Sequence, residues 1–105
     1  MADYWQVKRR IIEVLGWWTR DENFAAQYLK KYNASTRLDN QNLGVTPTIM
    51  AFMPQSMNEQ VGPLVPGWAN LGSIDLANCG AKTVGEFIEF ICEWGGVQIP
   101  EGEPT

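Results

Sequence analysis

Apolar residues return at helical spacing in four stretches of the chain, and each stretch predicts an α-helix. Val7, Ile11, Val14, Leu15 and Trp18 form the first stripe, opened by a capping box of Asp3 and Gln6. Gly16 weakens the end of the run, so the expected helix covers about 4–16. Lys8, Arg9, Arg10 and Glu13 fall largely on its other, solvated face. Trp17 and Trp18 cannot share one face, so one packs inward while the other covers a loop or lines a groove.

Thr19-Arg20-Asp21-Glu22 reads as a second capping box, and Phe24, Ala25, Tyr28, Leu29 and Tyr32 continue at helical spacing. A second helix over about 20–32 follows. Residues 33–44 are polar and aperiodic, with Asn33, Asn40, Asn42 and Gly44 as turn formers, which predicts a long surface loop. Thr46 then offers a cap and Pro47 a first helical position, with Ile49, Met50, Met53 and Met57 in register behind them. Pro54 interrupts that run: an interior proline costs about 3 kcal/mol, so the helix kinks or restarts there. A strand through "TIMAFM" is the competing expectation.

The segment "GPLVPGWANLGS" is punctuated as a loop by Gly62, Pro63, Pro66, Gly67 and Gly72, and Ser73 is placed to cap a short turn over "IDLAN". The last helix has the fullest set of signals. Thr83 and Glu86 form a third capping box, Val84, Phe87, Ile88, Ile91 and Trp94 make one apolar face, and Gly95-Gly96 stops it. Together these elements predict an all-α fold, a single helical domain over residues 1–105 built as a bundle of three or four helices. Its expected core is Trp5 or Trp18 with Phe24, Leu29, Ile49, Met53, Phe87, Ile88, Ile91 and Trp94.

Composition supports a folded chain and removes several functions. Hydrophobic residues are 45% of the 105 and charged residues 19%, unlike a disordered polymer. No apolar run is long enough to span a bilayer, and "MADYWQVKRR" has no apolar signal core, so a cytoplasmic location is expected. The net charge of −4 is divided unevenly. Residues 1–37 carry seven basic and four acidic groups, whereas residues 38–105 carry Lys82 against eight acids. The acidic part repels phosphate backbones and the basic residues form no patch in sequence, which argues against nucleic acid. The acids either solvate one side of the bundle or dock a partner protein with a basic surface.

The chain has no histidine, and Cys79 and Cys92 are its only cysteines. Cys-His and Ser-His catalytic pairs are therefore ruled out, as is a zinc site made of cysteines and histidines. Both cysteines are expected as reduced, partly buried thiols. Glu86, Glu89 and Glu93 are spaced as a solvated helix face, and Met50, Met53 and Met57 as core. No residue earns a catalytic or metal-binding assignment, and the expectation is a protein that is not an enzyme.

An opening helix "VKRRIIEVLG", a polar loop "STRLDNQNLG" ending in Leu43-Gly44, a second long helix, a short turn and a closing helix from "KTVGEFIEFI" follow one another. This order resembles the acyl carrier protein family over most of the chain, with an additional helix at 20–32 and extra loop at 62–72. In that family a Leu-Gly is followed closely by Asp-Ser-Leu, whose serine carries 4'-phosphopantetheine. The resemblance places Thr46 at the aspartate and Pro47 at the serine, with Thr48 as the other nearby hydroxyl. Proline has nothing to phosphorylate, so no prosthetic group is expected. The family's acid-rich partner helix is also poorly matched, because residues 48–61 contain only Glu59. "LGSIDL" echoes the attachment motif a second time at Ser73, in an alignment that excludes the first. The resemblance implies an acyl carrier protein-like domain acting through protein, or acyl-group, binding without a pantetheine arm. An unrelated acidic interaction module, such as an immunity or adaptor protein, is the alternative.

Overall fold

A computed structural model describes residues 3–39, 41–65, 76 and 79–100. Four α-helices run through the described residues: α1 (Tyr4–Trp18), α2 (Phe24–Gln27), α3 (Pro47–Gln60) and α4 (Val84–Gly95), with a 3-10 turn at Gly62–Leu64 after α3. The expected all-α architecture is present. The core is one cluster in which Val7, Ile11 and Leu15 of α1 meet Met53 and Met57 of α3 and Phe87, Ile88 and Ile91 of α4. The expected turn after Ser73, the glycines Gly67 and Gly72, and Ser73 itself lie outside the described residues.

Asp3 caps α1 as expected, its carboxylate accepting from the Gln6 amide at 2.9 Å while the Gln6 side chain accepts from the Asp3 amide at 3.1 Å. Gly16, however, does not end the helix. It lies where Phe24 approaches, so that a Cβ there would sit 3.6 Å from the Phe24 Cβ, and the helix continues to Trp18. Trp18 packs on the core and Trp17 is exposed, which resolves the adjacent pair. Lys8, assigned to the polar face from its charge, is buried instead.

The expected helix over 20–32 shrinks to four residues. Thr19 does not cap it: its hydroxyl donates back to the Gly16 carbonyl at 3.2 Å. The Asp21 carboxylate accepts from the Asn23 amide at 2.8 Å and from the Tyr32 hydroxyl at 2.5 Å. Beyond Gln27 the chain wraps around one carbonyl, which accepts from the amides of Lys30, Lys31 and Tyr32. Leu29 takes a left-handed φ of 70° inside that wrap. The physical reason is aromatic: the tight turn brings Tyr28 and Tyr32 to 5.9 and 5.2 Å from the fully buried Phe24 ring, and a short helix cannot outweigh that burial.

Nor is 33–44 a detached loop. Ala34, Leu38 and Leu43 are buried, and the stretch runs antiparallel beside the entrance to α4, with a bridge between Arg37 and Thr83. The first amides of a helix have no intrahelical acceptor. Here Val84 donates to the Thr36 carbonyl and Gly85 to the Ala34 carbonyl, both at 2.9 Å, while Glu86 donates to the Thr83 hydroxyl at 3.2 Å. Thr83 is thus one of three caps on α4, and Thr83→Ala should lower the unfolding free energy by about 1 kcal/mol in urea melts. An unchanged midpoint would show that the strap carbonyls hold α4 by themselves.

α3 runs through Pro54 without restarting, which also removes the strand reading of "TIMAFM". Met50, Met53 and Met57 are buried along one side, and their burial outweighs the hydrogen bond that Pro54 cannot donate. α4 ends as expected on Gly96, left-handed at φ 77°, with the Val97 amide donating to the Cys92 carbonyl at 2.8 Å. Of the expected pair Trp5 or Trp18 it is Trp18 that packs on the core, Trp5 being 55% exposed, and two expected core residues are corrected: Leu29 and Trp94 are 71% and 41% exposed. Trp94 lies at the edge of its helical stripe, where spacing alone cannot tell core from rim, and Leu29 lies in the turn beyond α2.

Candidate functional site

The entrance to α3 collects the residues that the sequence singled out. Leu43 and Gly44 are buried, and the Arg20 amide donates to the Leu43 carbonyl at 2.9 Å, tying the loop to the segment after α1. Gly44 is left-handed at φ 75°, and a Cβ there would lie 2.7 Å from Arg20 side-chain atoms. The turn is closed further by the Gly44 and Val45 amides, which donate to the Asp39 and Leu38 carbonyls. Asp39 is held below the usual carboxylate range by the Asn42 side-chain amide and then by the Arg37 guanidinium at 3.0 Å.

This turn delivers Thr46 as the cap of α3, its hydroxyl oxygen accepting from the Ile49 amide at 3.3 Å. Pro47 follows at the first helical position and Thr48 behind it, both exposed. Beside Pro47 opens an apolar hollow of about 240 Å³, bounded by Leu38, Met50 and Leu76, with Arg37 and Lys82 at its edge. Pro47 lacks a hydroxyl, the Thr46 oxygen is already engaged by a backbone amide, and Thr48 lies one position inside the helix.

The outer face of α4 carries Glu86, Glu89 and Glu93, all exposed. Phe90 and Trp94 stack beside them with ring centroids 6.4 Å apart, and the face borders a shallow hollow of about 230 Å³ closed by Cys79 and Ala81. Glu89 and Glu93 form no ion pair among the described residues. Cys79 and Cys92 are both free thiols. Burial pushes the Cys92 thiol up to about 12, so it stays protonated at neutral pH and is inert as a nucleophile. Among the described residues no three metal-ligating side chains converge.

One further groove was not legible beforehand. It lies between α1 and the turn after α2, has a volume of about 400 Å³, and is lined by Trp5, Ile12, Ala25 and Leu29 with Lys8 and Arg9. Lys8 is 6% exposed, and its ammonium lies 5.8, 5.8 and 6.0 Å from the ring centroids of Tyr4, Trp5 and Tyr28. Three ring faces therefore compensate part of the desolvation of a buried cation. The one sequence signal was the recurrence of Tyr4, Lys8 and Ile12 at four-residue spacing, which puts Lys8 on the stripe of its apolar neighbours.

Leu29 combines two unfavourable choices at the rim of this groove. A left-handed leucine costs on the order of 1 kcal/mol in backbone energy, and its side chain remains in water. No helix among the described residues is long and apolar enough to cross a membrane. No family model, no curated protein and no solved structure matches this chain.

Proposed function

We propose that this chain is an acyl carrier protein-like helical domain which works by binding another protein and carries no phosphopantetheine arm. The observation that supports the reading is the entrance to α3. Leu43-Gly44 leads through a tight turn to a helix start, the position at which the resemblance expects an attachment serine, and Pro47 occupies it. The reading assigns no catalytic residue and no cofactor. The partner is a protein with a basic surface, which would meet the Glu86, Glu89 and Glu93 carboxylates while burying the Phe90 and Trp94 rings.

Intact mass provides the test. Incubated with coenzyme A and a broad-specificity phosphopantetheinyl transferase, the protein should keep its unmodified mass. A single pantetheine increment would overturn the non-carrying reading. Pro47→Ser combined with Thr46→Asp should restore modification, because the helix start then presents a hydroxyl where amides and dipole receive phosphate. If that double variant keeps a helical circular-dichroism spectrum and remains unmodified, carrier ancestry fails. The second reading, an unrelated immunity or adaptor protein, then stands on the exposed acids and stacked rings of α4.

A further inference from the structure

We infer that the groove between α1 and the Phe24–Leu29 segment is a second docking surface, one that takes an amphipathic helix with an acidic polar face from a partner protein. Its charge is opposite to that of the α4 face. Among the lining residues Lys8 and Arg9 stand against one carboxylate, Glu13. That carboxylate is already shared by Arg9 and Arg10, each at 3.5 Å. The Arg9 side chain is 85% exposed, so its guanidinium remains within reach of a ligand. An acidic ligand therefore meets a lining of net positive charge with Arg9 at its surface, while a basic one is repelled.

Shape and backbone agree with this occupant. Trp5, Arg9 and Ile12 follow one stripe of α1 over seven residues, a wall about 10 Å long that matches two turns of a docked helix. Trp5 and Leu29 project from the two walls, and both remain largely in water without a ligand. Leu29 is held out by a left-handed backbone that glycine would adopt freely. Strain kept at an exposed apolar residue is the pattern of a binding anchor, since the turn's own packing does not use the side chain.

The probe is a fluorescein-labelled synthetic peptide of about 16 residues with leucines at i, i+3 and i+7 and glutamates on the polar face, read by anisotropy. The acidic peptide should bind about tenfold more tightly than its lysine counterpart, and Arg9→Glu and Leu29→Gly should each weaken it about tenfold. Leu29→Gly should leave the thermal midpoint unchanged or raised, which separates lost docking from lost folding. Glu89→Lys with Glu93→Lys should leave the affinity unchanged, so the result is independent of the reading of the α4 face. Equal binding of the acidic and basic peptides, or full affinity in Leu29→Gly, overturns the inference. It is equally overturned if the free protein sediments as a dimer that Leu29→Gly dissociates, because the groove then belongs to a second copy.

Discussion

Phe24→Ala should lower the unfolding free energy by about 3–5 kcal/mol, the cost of removing a fully enclosed phenyl ring from a core that cannot close over the gap. Phe24 is completely buried and receives Tyr28 and Tyr32 on its ring. It also meets α1 at Gly16, where the absence of a side chain permits the approach. α2 has four residues and no side-chain cap, too little to persist as a helix without this anchor. The loss is a large part of the about 5–15 kcal/mol that stabilises a small domain. Urea unfolding followed by far-UV circular dichroism measures it. The groove should disappear in the same variant, because Ala25 and Leu29 lose the residue that holds them beside α1. A loss below about 1 kcal/mol would mean that the aromatic cluster is peripheral.

Gly85→Val should cost about 3 kcal/mol, for the opposite reason that there is no room. A Cβ at Gly85 would lie 2.8 Å from the Ala34 Cβ and 3.1 Å from its carbonyl oxygen. That carbonyl cannot retreat freely, because it accepts the Gly85 amide at 2.9 Å and so caps α4. Gly85→Ala should fall between wild type and Gly85→Val, since the clash is offset by up to about 1 kcal/mol of helix propensity. Ala34→Gly in the Gly85→Ala background should recover part of the loss by removing the closer of the two contacts. Should Gly85→Val match the wild type in urea, the strap would have to stand away from α4, contrary to the paired amides.

The Asp21–Tyr32 hydrogen bond sets the pH window in which the turn after α2 is held. The Tyr32 hydroxyl, followed by the Asn23 amide, lowers the Asp21 carboxyl from 3.8, and the same contact raises Tyr32 from 10.0. Asp21's contribution is present above its unfolded value and is lost as pH falls through the lowered one. Tyr32's contribution is present below its unfolded value and is lost as pH rises through the raised one. The contribution of this hydrogen bond to the turn is therefore present throughout the neutral range.

How far the sequence could be read differs from element to element. α4 was legible nearly to the residue because Thr83, the apolar stripe and Gly96 are local signals that agree, and α3 opened where Thr46 and Pro47 said it would. Thr46, Pro47 and Thr48 were also found together at a helix entrance, since a cap and a first-turn proline need only their immediate neighbours. Of the two outcomes expected at Pro54, a kink or a restart, the restart does not occur, because the methionine face that outweighs the lost hydrogen bond is a tertiary contact. The run from Thr19 to Tyr32 failed for a related reason: Phe24, Tyr28 and Tyr32 repeat at four-residue spacing, which suits a helix stripe and equally a turn that folds two rings onto a third.

By itself, then, the sequence determined the class of fold, the starts of α1, α3 and α4, and the lack of a hydroxyl at Pro47, since each depends on residue identity and on spacings shorter than one or two turns. Only the tertiary structure decided that 33–44 straps α4, that Lys8 is buried among rings, and that Leu29 stands in water at the rim of a groove. Those outcomes turn on pairs remote in the chain, such as Ala34 with Gly85 and Gly16 with Phe24, and on the long-range competition between burying aromatic surface and completing local hydrogen bonds.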